Sequence, residues 1–149
     1  PARLGEIGLE GFAPYLMNRI MGRYNAALRD DLAAMGLTTP KARALAVLAV
    51  IEAPQIRELA VYTVTDPSTL SRALDQLQAE GLVRRAACAT DSRATRLHLT
   101  PAGRAAFERL WPAMAAAEAA LFRAIPEDER RAFLTTLQRI LRNIRRHDF

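Results

Sequence analysis

Ser68, Thr69, Ser71 and Arg72 fall within five consecutive positions behind Asp66-Pro67, and Arg84, Arg85, Arg93 and Arg96 follow shortly after. Hydroxyls at the start of a helix, beside exposed backbone N–H groups, suit phosphate oxygens. Arginine's planar fork grips phosphate or the edge of guanine, and it enters narrow minor grooves. The chemistry open to these residues is recognition of a polyanion. Bond-making chemistry has no comparable basis. The chain lacks a paired nucleophile and base, a glycine-rich phosphate loop and a spaced His, Cys and acid cluster. With Cys88 alone, and His98 and His147 the only histidines, no disulfide, metal site, cofactor or catalytic residue is expected. Cys88 reads as a small apolar filler before it reads as a redox sensor. His98 alternates within a strand pattern as a partly exposed residue.

The composition agrees with a globular binding protein. The 149 residues fit one domain, or one domain with helical extensions, and half of them are hydrophobic. Net charge is +5, and of 21 basic residues only Lys41 is not arginine. Arginine richness can follow genomic base composition, so position counts for more than number. Residues 84–96 carry a local net of +3, as does the stretch from Arg139 onward. The second cluster reads as a solvated face. No apolar run approaches the ~18 residues of a membrane span, and no secretory signal is visible, so a cytoplasmic location without membrane contact is expected.

Helical periodicity dominates the patterning. Phe12, Leu16, Ile20, Tyr24, Leu28 and Leu32 recur every fourth residue and predict a helix over 12–33. Thr38 and Pro40 open a second helix, about 40–52, so apolar that it belongs at the centre of the core. A short helix follows through Ile56, Leu59 and Ala60. Asp66 and Pro67 then start a helix that buries Leu70, Leu74 and Leu77, turns Ser68, Thr69, Ser71 and Arg72 outward, and stops at Gly81. Residues 82–85 and 95–99 read as two strands around a polar loop. Thr100-Pro101 opens a long helix in which Phe107, Leu110, Met114, Ala117 and Leu121 form a seam for another helix. Pro112 should bend it. Pro126 and three acidic residues open the last helix, whose seam is Phe133, Leu137, Ile140 and Ile144.

The fold class is therefore mainly α with a small β-wing: a winged helix-turn-helix flanked by N- and C-terminal dimerisation helices. Residues 36–100 are the DNA-binding domain, and 1–35 with 101–149 the helical dimerisation region. The outer helices carry more apolar stripe than a lone domain of this size could cover. A symmetric homodimer, with Leu16, Ile20, Phe133, Leu137, Ile140 and Ile144 at its interface, accounts for the excess.

Several short motifs resemble the multiple-antibiotic-resistance regulator (MarR) family of bacterial transcription factors. They are Gly36-Leu37-Thr38, Arg57-Glu58-Leu59-Ala60, Ser68-Thr69-Leu70-Ser71-Arg72, Glu80-Gly81-Leu82-Val83-Arg84, Asp91-Ser92-Arg93 and Leu97 through Gly103. Their order spans residues 12–147. The resemblance implies a homodimer that binds a pseudo-palindromic double-stranded DNA operator, usually as a repressor released by a small, often aromatic or phenolic, effector. It makes the helix from Asp66 the recognition helix and sends Arg93 into the minor groove, its guanidinium oriented by Asp91. Arg84, Arg85 and Arg96 would give phosphate contacts along the strands. Ala86, Ala87 and Ala89 leave the wing tip poor in charge, which implies a shallow salt dependence. Oxidant-sensing relatives carry their cysteine in the dimer region, unlike Cys88. The competing reading is a winged-helix module used for protein contact or non-specific DNA binding.

Overall fold

The computed structural model describes all of residues 1–149. Helix α1 (Leu4–Ile7) and a 3₁₀ turn (Leu9–Gly11) precede α2 (Ala13–Ala34), α3 (Thr39–Val50), α4 (Ile56–Thr63) and α5 (Pro67–Ala79). Strands β1 (Val83–Ala87) and β2 (Thr95–Leu99) follow, then α6 (Pro101–Leu121) and α7 (Glu127–Ile144). Two compact units result, Pro1–Ala117 and Glu118–Phe149. No helix is long and apolar enough to cross a membrane.

The core of the first unit is leucine-built. Leu45, Leu59, Leu70, Leu74, Leu77, Leu97 and Leu110 are each fully buried. Helix α3 lies at its centre, as its apolar composition requires, with Ala44 and Leu45 sealed. The Thr38 side chain accepts the Lys41 N–H, and Pro40 occupies the first turn of α3. Strands β1 and β2 pair antiparallel, with Val83 opposite Leu99 and Arg85 opposite Leu97. One face of this ribbon therefore holds Val83 and Leu97 in the core, while the other carries Arg84, Ala86, Arg96 and His98. The edge of β2 is tied to the chain ahead of α4. Leu97 N–H donates to the Pro54 carbonyl at 3.0 Å, and Gln55 forms a bridge with Arg96.

The row Phe107, Leu110, Met114 and Ala117 was expected to serve another helix, but in the structure it packs on this leucine core. A helix that passes a wing and its supporting helices can bury one face against them, and an apolar row carries no mark of which surface will cover it. Helix α6 continues through Pro112.

Helix α6 is seated by an unusually close contact. The Thr100 hydroxyl donates to the Gly81 carbonyl at 2.6 Å and accepts the Gly103 N–H at 3.0 Å. Thr100 N–H donates to the Leu82 carbonyl. The first turn of α6 is thus drawn onto the end of the Gly81 turn, and a Cβ on Gly103 would sit 1.9 Å from the Leu82 carbonyl oxygen. Only glycine fits there without moving the backbone.

The second unit has its own small cluster. Phe122 and Phe133 meet edge to face at 6.1 Å between ring centres. The Arg130 guanidinium lies over the Phe122 ring and bonds Glu118 at 2.7 Å. Glu127, Asp128 and Glu129 occupy the first turn of α7, where the helix dipole favours negative charge.

Gly103→Ala should lower unfolding stability by roughly 1–3 kcal/mol, the usual cost of overpacking that forces backbone shifts. The urea midpoint should fall with an unchanged slope. A midpoint equal to that of the parent would show that the contact with Leu82 relaxes freely.

Candidate nucleic-acid interface

Helix α5 is built to show one face. Leu70, Leu74 and Leu77 are completely buried, so their spacing fixes the rotation of the helix about its axis. Ser68, Ser71, Arg72, Asp75 and Gln76 are consequently exposed, and Thr69 half-exposed. At the entry, Asp66 accepts the Thr69 N–H at 3.0 Å and the Ser68 hydroxyl at 2.7 Å. These bonds, the Thr69 and Ser68 donors foremost, hold the Asp66 carboxyl well below the usual carboxylate range. Ser68 therefore spends its hydroxyl hydrogen inside the cap, while the Ser71 hydroxyl and the Arg72 guanidinium have no internal partner.

The far end of α5 is anchored twice. Gly81, at φ 74°, turns the chain so that Leu82 N–H reaches the Leu77 carbonyl and Gly81 N–H the Gln78 carbonyl. Glu80, beside it, pairs with the Lys41 ammonium, which is only 5% exposed at the start of α3. The turn into α5 is also unusual. Val64 adopts left-handed φ 50°, ψ 48° with 82% of its surface exposed. That conformation is strained for a β-branched residue.

The structure divides the predicted arginines into committed and free. Arg85 bonds Asp75 of α5 at 2.8 Å and links wing to helix. Arg96 donates to the Ala53 carbonyl at 3.1 Å and lies 3.6 Å from Glu58, whose carboxylate also caps α4 through Gln55 N–H. Its guanidinium is thus occupied on the α3–α4 loop rather than projected from the strand. Arg84 lies on the outer sheet face, opposite His98. Arg93 is exposed in the wing loop and has no side-chain partner. The expectation that Asp91 orients the Arg93 guanidinium is corrected in one respect. The Asp91 carboxylate accepts the Arg93 backbone N–H at 2.9 Å. An aspartate reaches its own chain two residues on more readily than a flexible guanidinium, so Asp91 shapes the loop that carries Arg93.

Sequence reasoning missed Asp75–Arg85 and Lys41–Glu80. Both join residues on different elements, and only the acid–base complementarity was available as a signal. It also gave Cys88 no special character. In the structure its sulfur lies 3.3 Å from the Thr90 hydroxyl. Hydrogen bonds from Thr90, with a further contribution from Arg96, bring the thiol down to about 6.

Of the apolar residues assigned to an interface, Leu16, Ile20, Phe133, Ile140 and Ile144 are between 37% and 71% exposed, and Leu137 is half-buried. Within the first unit a cleft of about 420 Å³ is lined by Met21 and Asn25 of α2, Arg43 and Val47 of α3, Val64 of the turn and Met114 of α6, among others.

A helix-turn-helix whose second helix presents hydroxyls and arginine beside a basic hairpin defines a winged-helix DNA-binding protein. The chain belongs to the MarR family of transcription regulators, a non-enzymatic group. The MarR family profile matches residues 35–94. A MarR-family transcriptional regulator from Silicibacter pomeroyi is 55% identical, with 99% of this chain and 100% of that one covered and a TM-score of 0.94. CouR from Rhodococcus jostii RHA1, solved bound to p-coumaroyl-CoA, is 25% identical, with 89% and 94% covered and a TM-score of 0.77. The HTH-type transcriptional repressor IacR of Pseudomonas putida is 28% identical over 105 residues, which are 70% of this chain and 63% of that repressor. The chain thus matches somewhat less than two thirds of that repressor's length.

The lowered Cys88 pKa favours the thiolate, so alkylation by iodoacetamide should reach half its plateau rate near pH 6. A rate still climbing through about pH 8.5, the ordinary thiol range, would show that Thr90 does not hold the sulfur in solution.

Proposed function

We propose that this chain is a homodimeric repressor that reads a pseudo-palindromic operator and releases it when a small effector binds. The observation that carries the reading is the start of α5. Three buried leucines hold Ser68, Thr69, Ser71 and Arg72 outward, next to a wing loop whose Arg93 is unpaired. In this reading α5 enters the major groove and Arg93 the adjacent minor groove. Arg84 and Arg96 flank that surface, Arg96 acting mainly through the loop it holds. Residues 36–100 read DNA, while 1–35 and 101–149 form the dimer. The exposed apolar rows on α2 and α7 support that assignment, since each is a contiguous surface a soluble chain covers with a partner. Dimerisation places two copies of α5 on one duplex, which calls for an inverted repeat with half-sites about one helical turn apart.

The effector reading rests on the cleft. Its volume falls within the roughly 300–1,000 Å³ of small-molecule sites. Its lining combines methionine and valine side chains with one guanidinium, that of Arg43, a set suited to an aromatic or phenolic molecule carrying an anionic group. CouR's ligand is of that kind. Val64 lines the cleft two residues before the Asp66 cap, so an occupant presses directly on the entry to the recognition helix.

Selection of bound sites from a random duplex pool tests operator reading. An inverted repeat is expected, and recovery of unselected DNA would leave only non-specific binding or protein contact. Arg93→Ala should weaken binding to the selected site by roughly 1–3 kcal/mol with the fold intact. Wild-type affinity would remove Arg93 from the interface. Leu137→Asp, which puts a charge into the apolar row of α7, should convert the dimer to monomer in sedimentation. An unchanged dimer would place the interface elsewhere.

A further inference from the structure

A second recess lies on the outer face of the wing ribbon, apart from the effector cleft and from the exposed side of α5. It measures about 360 Å³ and is lined by Arg84 and His98 of the ribbon, Arg104 of α6, and the last turn of α3 with Glu52. Arg84 and His98 are cross-strand partners and stand side by side. The Gly103 contact with Leu82 brings the start of α6, and Arg104 with it, against the base of the same ribbon. None of Arg84, His98 and Arg104 has a side-chain hydrogen bond or ion pair within the chain.

The charge arrangement is uncompensated. Helix α6 has no acidic residue in its first turn and places Arg104 immediately after it, at the end where the helix dipole is already positive. Helix α7 meets the same situation with three acids. Two guanidinium groups share the recess with one carboxylate, Glu52, and a histidine that can donate. Like charges brought side by side without a counter-ion repel, and an anion with several acceptor oxygens relieves that repulsion.

We propose that this recess is an anion site that takes a phosphate group, with Arg84 and Arg104 as paired guanidinium donors and His98 as a third. Phosphate fits better than a monocarboxylate because its tetrahedral oxygens can meet donors arriving from a strand and a helix together. Its source is either a DNA strand beyond the half-site or a small phosphorylated molecule. The site does not depend on effector binding in the other cleft.

The test compares the parent dimer with the Arg84→Gln, Arg104→Gln double variant, checked for an unchanged circular dichroism spectrum. Inorganic pyrophosphate is titrated by calorimetry at low ionic strength. Affinity for a selected duplex with extended flanks is then measured across salt concentrations. For a small-molecule site, pyrophosphate binds the parent saturably, the variant loses about tenfold or more in affinity, and the salt slope is unchanged. For a DNA strand, the salt slope falls by about 1.8 per dimer half, near 0.9 for each lost phosphate contact. Either result supports the site and names its source. Equal pyrophosphate affinity in both proteins together with an equal salt slope overturns it. The pyrophosphate arm stands even if the operator reading fails.

Discussion

Three leucines on one helix set the terms for the rest of this protein. Leu70, Leu74 and Leu77 cannot rotate toward solvent without exposing side chains worth roughly 1.5–3 kcal/mol each. Helix α5 therefore has one permitted orientation, and its hydroxyls and arginine point outward as a consequence. Its ends are fixed by different means: an aspartate cap at one, a glycine turn and a buried lysine–glutamate pair at the other. A helix held by its back face and both ends offers a rigid surface, as readout of base edges within fractions of an ångström requires.

The arginines divide by what already holds them. Arg85 and Arg96 are spent inside the fold, one tying the wing to α5 and the other bracing the loop before α4. Arg72 and Arg93 remain available on the reading side, while Arg84 and Arg104 face the opposite recess. A count of positive charge along 84–96 treats these residues alike. Their partners separate them into scaffold, reader and anion holder.

The order of elements was legible in the sequence because periodicity and caps are local. Leu70, Leu74 and Leu77 identified a buried face, and Asp66-Pro67 and Gly81 marked the ends of its helix to within a residue or so. What escaped was long-range. Lys41 and Glu80 stand 39 positions apart, and nothing in their spacing joins them. The row from Phe107 to Ala117 was apolar whichever surface covered it. Asp91 was rightly linked to Arg93, but a motif does not say whether a carboxylate meets a side chain or a backbone N–H. Helix α1, four residues long, has too little length for any period to show.

The near-exclusive use of arginine has a consequence for how this surface could be controlled. A guanidinium keeps its proton throughout the physiological range, and it is not a target of the acetylation that erases lysine charge. The one lysine side chain is sealed against α5 and out of reach of such chemistry. The electrostatic field toward a nucleic acid is thus indifferent to modest acidity and to amine-directed modification. Control of occupancy falls to geometry, through whatever shifts the position of α5.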